Sequence, residues 1–430
     1  MLLKRLIAIA VVLGALLLLA SSVLWLKSRS REEHSFVLSN GTVVTLRAAT
    51  FGTNHTFSSI GRWRKFVPKV FARWLNMPPA MTSFTTESPS LVLWFERAGL
   101  GGGPQNYTCG LVHADGMETA FQGGRHYASY SPTNSIEGIS STYPQREPVL
   151  RIRFYEQKNY NTLLPLGEFT VRNPRISHAP KKPAPPLPQT VHDGDLEVTL
   201  VSLESGGNRG RWDNTNIIDQ WTTARFNVLE GGRPSTNWTV QRMEATDSTG
   251  SKLVSQSWTG MTEKELEKWQ CQPVLWPSET YKLRFEFSRK DWAPFDTNEL
   301  WTIRGVAVPT NGSFNLVNTQ MNLRGFKVLF HGVTTPGASQ PWNEMMGGSS
   351  SLGFSISPEP KDHRFTLVSV MDDKGKVDTT GSGYSNTNWG FGLKLTGESR
   401  SIDVTVALHR SRYVDFVAQP MRATNATGKP

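Results

Sequence analysis

Tyr281-Lys282-Leu283-Arg284-Phe285-Glu286-Phe287 alternates apolar and charged side chains residue by residue. Successive side chains of a β-strand point to opposite faces, so this is the pattern of a strand with one buried and one wet face. The same period of two runs through Val149-Leu150-Arg151-Ile152-Arg153-Phe154 and Phe391-Gly392-Leu393-Lys394-Leu395. Each of these runs sits in a block of similar layout, and the layout predicts an all-β chain.

Working outward, each block opens on a strand preceded by glycine. These are Gly41 before Val43-Val44-Thr45-Leu46, Gly194 before Leu196 to Leu200, and Gly325 before Phe326 to Phe330. A β-run follows at Leu91 to Phe95, Ala224 to Val228 and Leu352 to Ile356. Then comes an Asp/Gly turn: His113-Ala114-Asp115-Gly116, Thr246-Asp247-Ser248-Thr249-Gly250 and Asp372-Asp373-Lys374-Gly375. Aspartate can bond its own backbone and glycine supplies positive φ, so these are hairpin turns. Each block is expected to close on a strand that stops at proline: Phe169 to Pro174, Gly305 to Pro309, and Val414 to Pro420.

The turn aspartates recur about every 130 residues, a domain-sized period rather than a solenoid unit. The expectation is three tandem β-sandwich domains over 34–174, 191–310 and 320–421, with a tail at 422–430. Proline-rich 175–190, with its core Pro180-Lys181-Lys182-Pro183-Ala184-Pro185-Pro186-Leu187-Pro188, is a semi-rigid linker. A softer boundary falls near Thr310 to Asn322. Thr262 and Glu265 fit a capping box and predict a short helix over 262–269. Cys109 and Cys271 fall in different blocks without CxxC spacing, which argues against a disulfide frame and against zinc.

Residues 1–33 are read as a membrane anchor and its flanks. Leu6 to Leu26 carries no charge and is long enough, at roughly twenty residues, to cross a bilayer as a helix. Lys4 and Arg5 flank it on one side, Lys27, Arg29 and Arg31 on the other, with Trp25 at an interfacial position. The segment exceeds a usual signal-peptide core, so a retained signal-anchor is expected; the alternative is cleavage near Ala20 and Ser22. A short N-terminal flank before a long body places the body outside the cytoplasm, periplasmic or extracellular.

The runs Val44-Thr45-Leu46 with Phe51-Gly52-Thr53-Asn54-His55, and Arg412-Tyr413-Val414-Asp415-Phe416, carry a resemblance. The chain resembles bacterial membrane-anchored proteins with tandem immunoglobulin-like domains. That group has no settled activity, so the resemblance implies fold and placement and no chemistry.

The first block holds an insertion, 60–76. Ile60, Trp63, Val67, Val70 and Trp74 fall at helical spacing, and Arg62, Lys65, Lys69 and Arg73 supply a face without acids. A basic amphipathic helix of this kind can lie on a membrane, which makes Arg62, Trp63, Lys65, Lys69, Arg73 and Trp74 candidate membrane-surface contacts. It can equally cap the sandwich core and turn its basic face to water. Pro68 calls for a kink or two short helices.

Signatures of nucleophile elbows, zincins, P-loops and dinucleotide sites are absent. His113 with Asp115 is too small a set for a metal, and Asp372, Asp373 and Asp378 lack EF-hand spacing. No catalytic residue, metal ligand or cofactor is assigned. The net charge of +10 favours anionic partners, yet no dense basic stripe accompanies it, so nucleic acid is not expected. Trp212, Trp221, Trp292 and Trp342 lie in Gly/Asn-rich loops and are candidates for stacking on sugars. The expected function is a membrane-anchored, non-cytoplasmic scaffold or binding protein. Its partners are the lipid bilayer through residues 6–26 and a protein or glycan. One alternative is a cell-envelope glycan-binding protein or hydrolase; another is a lipid-surface protein acting through 60–75.

Overall fold

The computed structural model describes residues 34–58, 81–98, 107–114, 116–121, 125–130, 134–159, 162–206, 221–263, 266–272, 274–310, 312–338, 349–385 and 387–423. Within them the alternation at Tyr281 to Phe287 is realised: Tyr281, Leu283, Phe285 and Phe287 are fully buried, while Lys282 and Arg284 face water. Among the described residues every regular element is a strand.

The first unit comprises β1 (Ser35–Val37), β2 (Val43–Ser58), β3 (Met81–Ala98), β4 (Tyr107–Val112), β5 (Glu118–Ala120), β6 (Arg125–Tyr130), β7 (Asn134–Ser141), β8 (Val149–Asn159) and β9 (Thr162–Arg172). They form two antiparallel sheets, β1-β2-β3-β7-β6 and β5-β4-β8-β9. Leu91, Leu93 and Phe95 from one sheet and Cys109, Ile152 and Phe154 from the other close on one core, the packing that hides both apolar faces from water.

The second unit begins with β10 (Gln189–Asp193), β11 (Leu196–Ser205), β12 (Thr222–Glu230), the two-residue β13 (Arg233–Pro234), β14 (Trp238–Asp247), β15 (Lys252–Glu263), β16 (Leu266–Cys271) and β17 (Tyr281–Arg289). Here one long strand replaces two. β15 pairs with β14 up to Gln256, shifts register between Ser257 and Thr259, and pairs with β16 beyond. Both layers therefore belong to one continuous sheet, β10-β11-β12-β16-β15-β14-β17, extended at its end by a strand described below.

The third unit comprises β18 (Leu300–Ala307), β19 (Phe314–Leu323), β20 (Phe326–Thr334), β21 (Ser350–Ser357), β22 (His363–Asp372), β23 (Gly375–Lys376), β24 (Thr379–Ser385), β25 (Asn388–Leu393) and β26 (Ser401–Arg410). The chain ends in β27 (Arg412–Ala418) and β28 (Met421–Arg422). The third unit's sheets run β19-β20-β21-β25-β24 and β23-β22-β26-β18, around a core of Phe330, Phe354, Phe365, Val404 and Val406.

The three units share one strand order, position for position, except for the closing strand. In the first, β9 follows β8 and pairs beside it. In the second, the place beside β17 is taken by β27 from the chain terminus, with Phe285 opposite Val414 and Leu283 opposite Phe416. In the third, the place beside β26 is taken by β18, with Ile303 opposite Val404. The second and third units have exchanged closing strands. Val414, Phe416 and Ala418 complete the second unit's core, and Trp301, Ile303 and Val306 the third's.

This corrects the boundaries 191–310 and 320–421. The stretch Gly305 to Pro309 does not close the second unit, and Val414 to Pro420 does not close the third. Thr310 to Asn322, expected as the softer boundary, is largely strand β19. The helix expected over 262–269 is also replaced: Thr262 and Glu263 end β15, and Leu266 to Trp269 belong to β16. Glu267, Trp269 and Cys271 point inward from β16, so a strand period was present but carried a buried glutamate.

The turns at Asp247 and Asp372 form as expected, while Asp115 lies outside the described residues. Gly41, Gly194 and Gly325 open the three equivalent hairpins at φ of 79°, 65° and 87°, a region that Cβ-bearing residues avoid. Asp247 Oδ1 accepts from the backbone N–H groups of Thr249 and Ser251, holding the β14–β15 turn. Residues 174–188 run without regular structure and are mostly exposed, and β10 takes up the last two residues of the expected linker 175–190. The leader 1–33 and the insertion 60–76 lie outside the described residues. Among those described, no helix is long and apolar enough to cross a membrane.

Candidate functional site

The exchange of strands makes the chain pass twice between the second and third units, once from Arg289 to Leu300 and once at Ser411. The first passage turns sharply: Ala293 N–H donates to the Lys290 carbonyl (3.0 Å), and Lys290 N–H to that of Asn237 (2.7 Å). Trp292 sits at the tip of this turn and is 70% exposed. Arg289 stiffens its base by donating to the Pro294 carbonyl (2.8 Å) while its guanidinium lies over the Trp238 ring.

Between the turn and the third unit runs a groove of about 540 Å³. Its second-unit wall comes from β14 and from the end of β17 through Trp292; its third-unit wall comes from β22, β24 and β25. Tyr384, 52% exposed, stacks on Trp389 with ring centres 5.0 Å apart and planes 24° from parallel. Thr239, Gln241, Ser288, Thr366, Thr379 and Ser382 supply hydroxyl and amide groups.

The cations of the groove are matched by carboxylates packed around it. Arg289 pairs with Glu230 (2.8 Å), Lys290 with Glu267 (3.0 Å) and Arg364 with Glu286 (2.7 Å). Thr239 also donates to Glu267 (2.7 Å), and Ser411 to Glu286 (2.8 Å). Asp291 is the carboxylate residue among those lining the groove. An adjoining depression of about 220 Å³ shares Asp291 and adds Asp378, Lys376 and Lys394.

A second, smaller cavity of about 340 Å³ between the same units is lined by Arg242, Glu244, Arg284, Glu286, Lys361, Asp362 and Tyr413. It is an ionic lattice. Lys252 and Arg242 bond Glu244, the Lys252 hydrogen bond holding that carboxyl below its ordinary range, and Arg284 lies over the Tyr413 ring.

Of the four tryptophans expected to stack on sugars, Trp292 faces the groove and Trp221 is half-buried just before β12. Trp212 and Trp342 lie outside the described residues, as do Arg62, Trp63, Lys65, Lys69, Arg73, Trp74 and Asp115. His113 is buried, bonds Thr119 (3.0 Å) and packs near Trp276, which makes it part of the seam between the first and second units. Asp372 accepts from the N–H groups of Lys374 and Gly375 and from the Ser399 hydroxyl (2.6 Å), which holds its carboxyl below the ordinary range as a turn cap. Among the described residues no three His, Cys, Asp or Glu side chains group as a metal site. Tyr384 and Trp389 were missed in the sequence; the signal was the polar, glycine-bearing run Thr379-Thr380-Gly381-Ser382-Gly383-Tyr384-Ser385, too hydrophilic for a core strand yet carrying a tyrosine.

Fold and groove define an all-β protein of repeated two-layer units with an aromatic cleft where two of them interlock. No protein-family model matches the sequence. No curated protein matches it significantly.

Proposed function

We propose that this chain is a membrane-anchored binding protein whose three immunoglobulin-like sandwiches stand outside the cytoplasm and hold a ligand in the groove between the second and third units. The observation that carries the reading is the chemistry of the groove: aromatic faces, hydroxyls and amides line it, and its cations are matched by carboxylates. That is the make-up of an amphipathic recognition surface, aromatic faces set among hydrogen-bonding and ion-paired side chains. Hydrolysis of a glycosidic bond would need two carboxylates flanking it, one of them kept protonated. The uncharged run Leu6 to Leu26 supports the anchor, and the short flank before it supports a translocated body.

Two measurements test this. The protein is expected to stay with membranes through an alkaline carbonate wash, and its body to be degraded when protease is added to cells with a permeabilised outer layer. A body untouched by that protease, yet cleaved after lysis, would refute the placement. Incubation with glycans is expected to release no reducing ends; release that vanished in Asp291→Asn would replace binding with hydrolysis.

A further inference from the structure

We infer that the groove takes a neutral oligosaccharide, stacked on Trp292 and on the Tyr384–Trp389 pair; this rests on the binding-protein reading above. A pyranose ring presents an apolar face of C–H groups and a rim of hydroxyls. It therefore matches a flat aromatic surface bordered by hydrogen-bonding side chains, amphipathic against amphipathic. Trp292 supplies the first platform: a turn with two backbone hydrogen bonds fixes it, and it is 70% exposed rather than folded into either core. The exposed Tyr384, backed by Trp389 in a near-parallel stack, supplies the second. The groove's volume of about 540 Å³ lies within the range of small-ligand sites, roughly 300–1,000 Å³.

Charge decides between neutral and acidic sugars. Arg289, Lys290 and Arg364 are held by Glu230, Glu267 and Glu286 at 2.7–3.0 Å. Cations already neutralised by carboxylates offer an anionic ligand little net charge, and drawing them away would leave Glu267 or Glu286 unpaired inside the protein. The exposed Asp291 would also repel it. A neutral sugar can accept from the same guanidinium and ammonium groups without displacing their partners.

The full-length protein in detergent is titrated by calorimetry against neutral gluco-, xylo-, manno- and chito-oligosaccharides, and in parallel against uronic acid and sulfated oligosaccharides. At least one neutral member is expected to bind and to change tryptophan fluorescence. Trp292→Ala is expected to weaken it about tenfold or more, a change of about 1.4 kcal/mol. The unfolding temperature stays unchanged, because the ring is mostly in water. Tyr384→Phe, which keeps the ring, should bind nearly as the parent does, and Tyr384→Ala should not. No binding by any neutral member, binding indifferent to Trp292→Ala, or binding of acidic members alone would each overturn the inference. Protease accessibility measured on the same cells separates the two levels: sugars failing with the body still accessible removes the ligand class and leaves the placement standing.

Discussion

His409, at the end of β26, is buried, and its Nε2 accepts from the backbone N–H of Arg289 (3.1 Å) across the second passage between units. An imidazole nitrogen that accepts cannot also carry a proton, so the ring is held neutral. Burial first, then the charges of Arg289, Arg364 and His363, push its pKa down to about 4. An unfolded histidine titrates near 6.5. As pH falls below about 6.5 the unfolded chain therefore takes up the proton first. The stability that neutral His409 contributes, about 3 kcal/mol, is complete above pH 6.5 and is lost as pH falls through 4. Thermal unfolding followed from pH 7 to pH 4 should show this loss, and His409→Gln should flatten it; an unchanged slope in the variant would remove His409 as the cause. Gly332 makes a steric prediction. Its φ is +146°, and a Cβ there would lie 1.9 Å from the carbonyl oxygen of Asn315 on the neighbouring strand. Backbone cannot swing aside as a side chain can, so Gly332→Ala is expected to cost more than about 2 kcal/mol by denaturant titration.

At the scale of elements, the first and second units meet through the loop that precedes β8. Arg146 donates to Glu279 (2.9 Å) and to Ser248 (2.6 Å), and also bonds the carbonyl of Ala179 in the linker. Gln145 reaches Ser251 (2.7 Å), and Met117 packs with Val274 and Trp276. Glu279 is almost wholly buried, and burial raises its pKa despite the Arg146 charge. Removing the arginine would leave that buried acid without its hydrogen-bonded counter-ion, with only the more distant charge of Lys181 to offset it. Arg146→Ala is expected to cost about 3 kcal/mol and to open 175–188 to protease, read by limited proteolysis and unfolding temperature. The loss should shrink as pH drops toward 4.5, because a raised carboxyl pKa means the folded state binds the proton more readily there. The proline run alone marks this junction in the sequence as a spacer. The contact itself, made by residues far apart in the chain, has no local signature. The same limit explains β16, where a capping box spoke for a helix. The pairing of Glu267 with Lys290 makes a charged residue an inward-facing one, so the alternation could be recognised only after the partner was in place.

For the whole molecule, the exchange of β18 and β27 ties the second and third units into one body. Neither can lose its closing strand without pulling on a segment anchored in the other. A fragment spanning 189–423 is therefore expected to fold and to unfold in a single transition. A fragment ending at 310 lacks β27 and should remain unfolded, because the flank of β17 that buries Val414, Phe416 and Ala418 would be bare. Circular dichroism and calorimetry on the two fragments check this; a folded 189–310 fragment would contradict the interlock. The groove follows from the same topology, since its walls come from different units brought together by two passages of chain.

Period-two alternation, the glycine before each opening strand and the aspartate turns are local properties, because a side chain's face and a turn's φ depend on nearest neighbours. From them the sequence by itself determined an all-β chain of three like blocks and the hairpins within them. Which sheet each closing strand joins was decided only by tertiary structure. Leu300–Ala307 and Arg412–Ala418 are both short amphipathic strands followed by a proline, so either pattern fits either edge. The choice, and with it the aromatic groove, depends on how whole units pack, a free energy summed over contacts between residues a hundred or more positions apart.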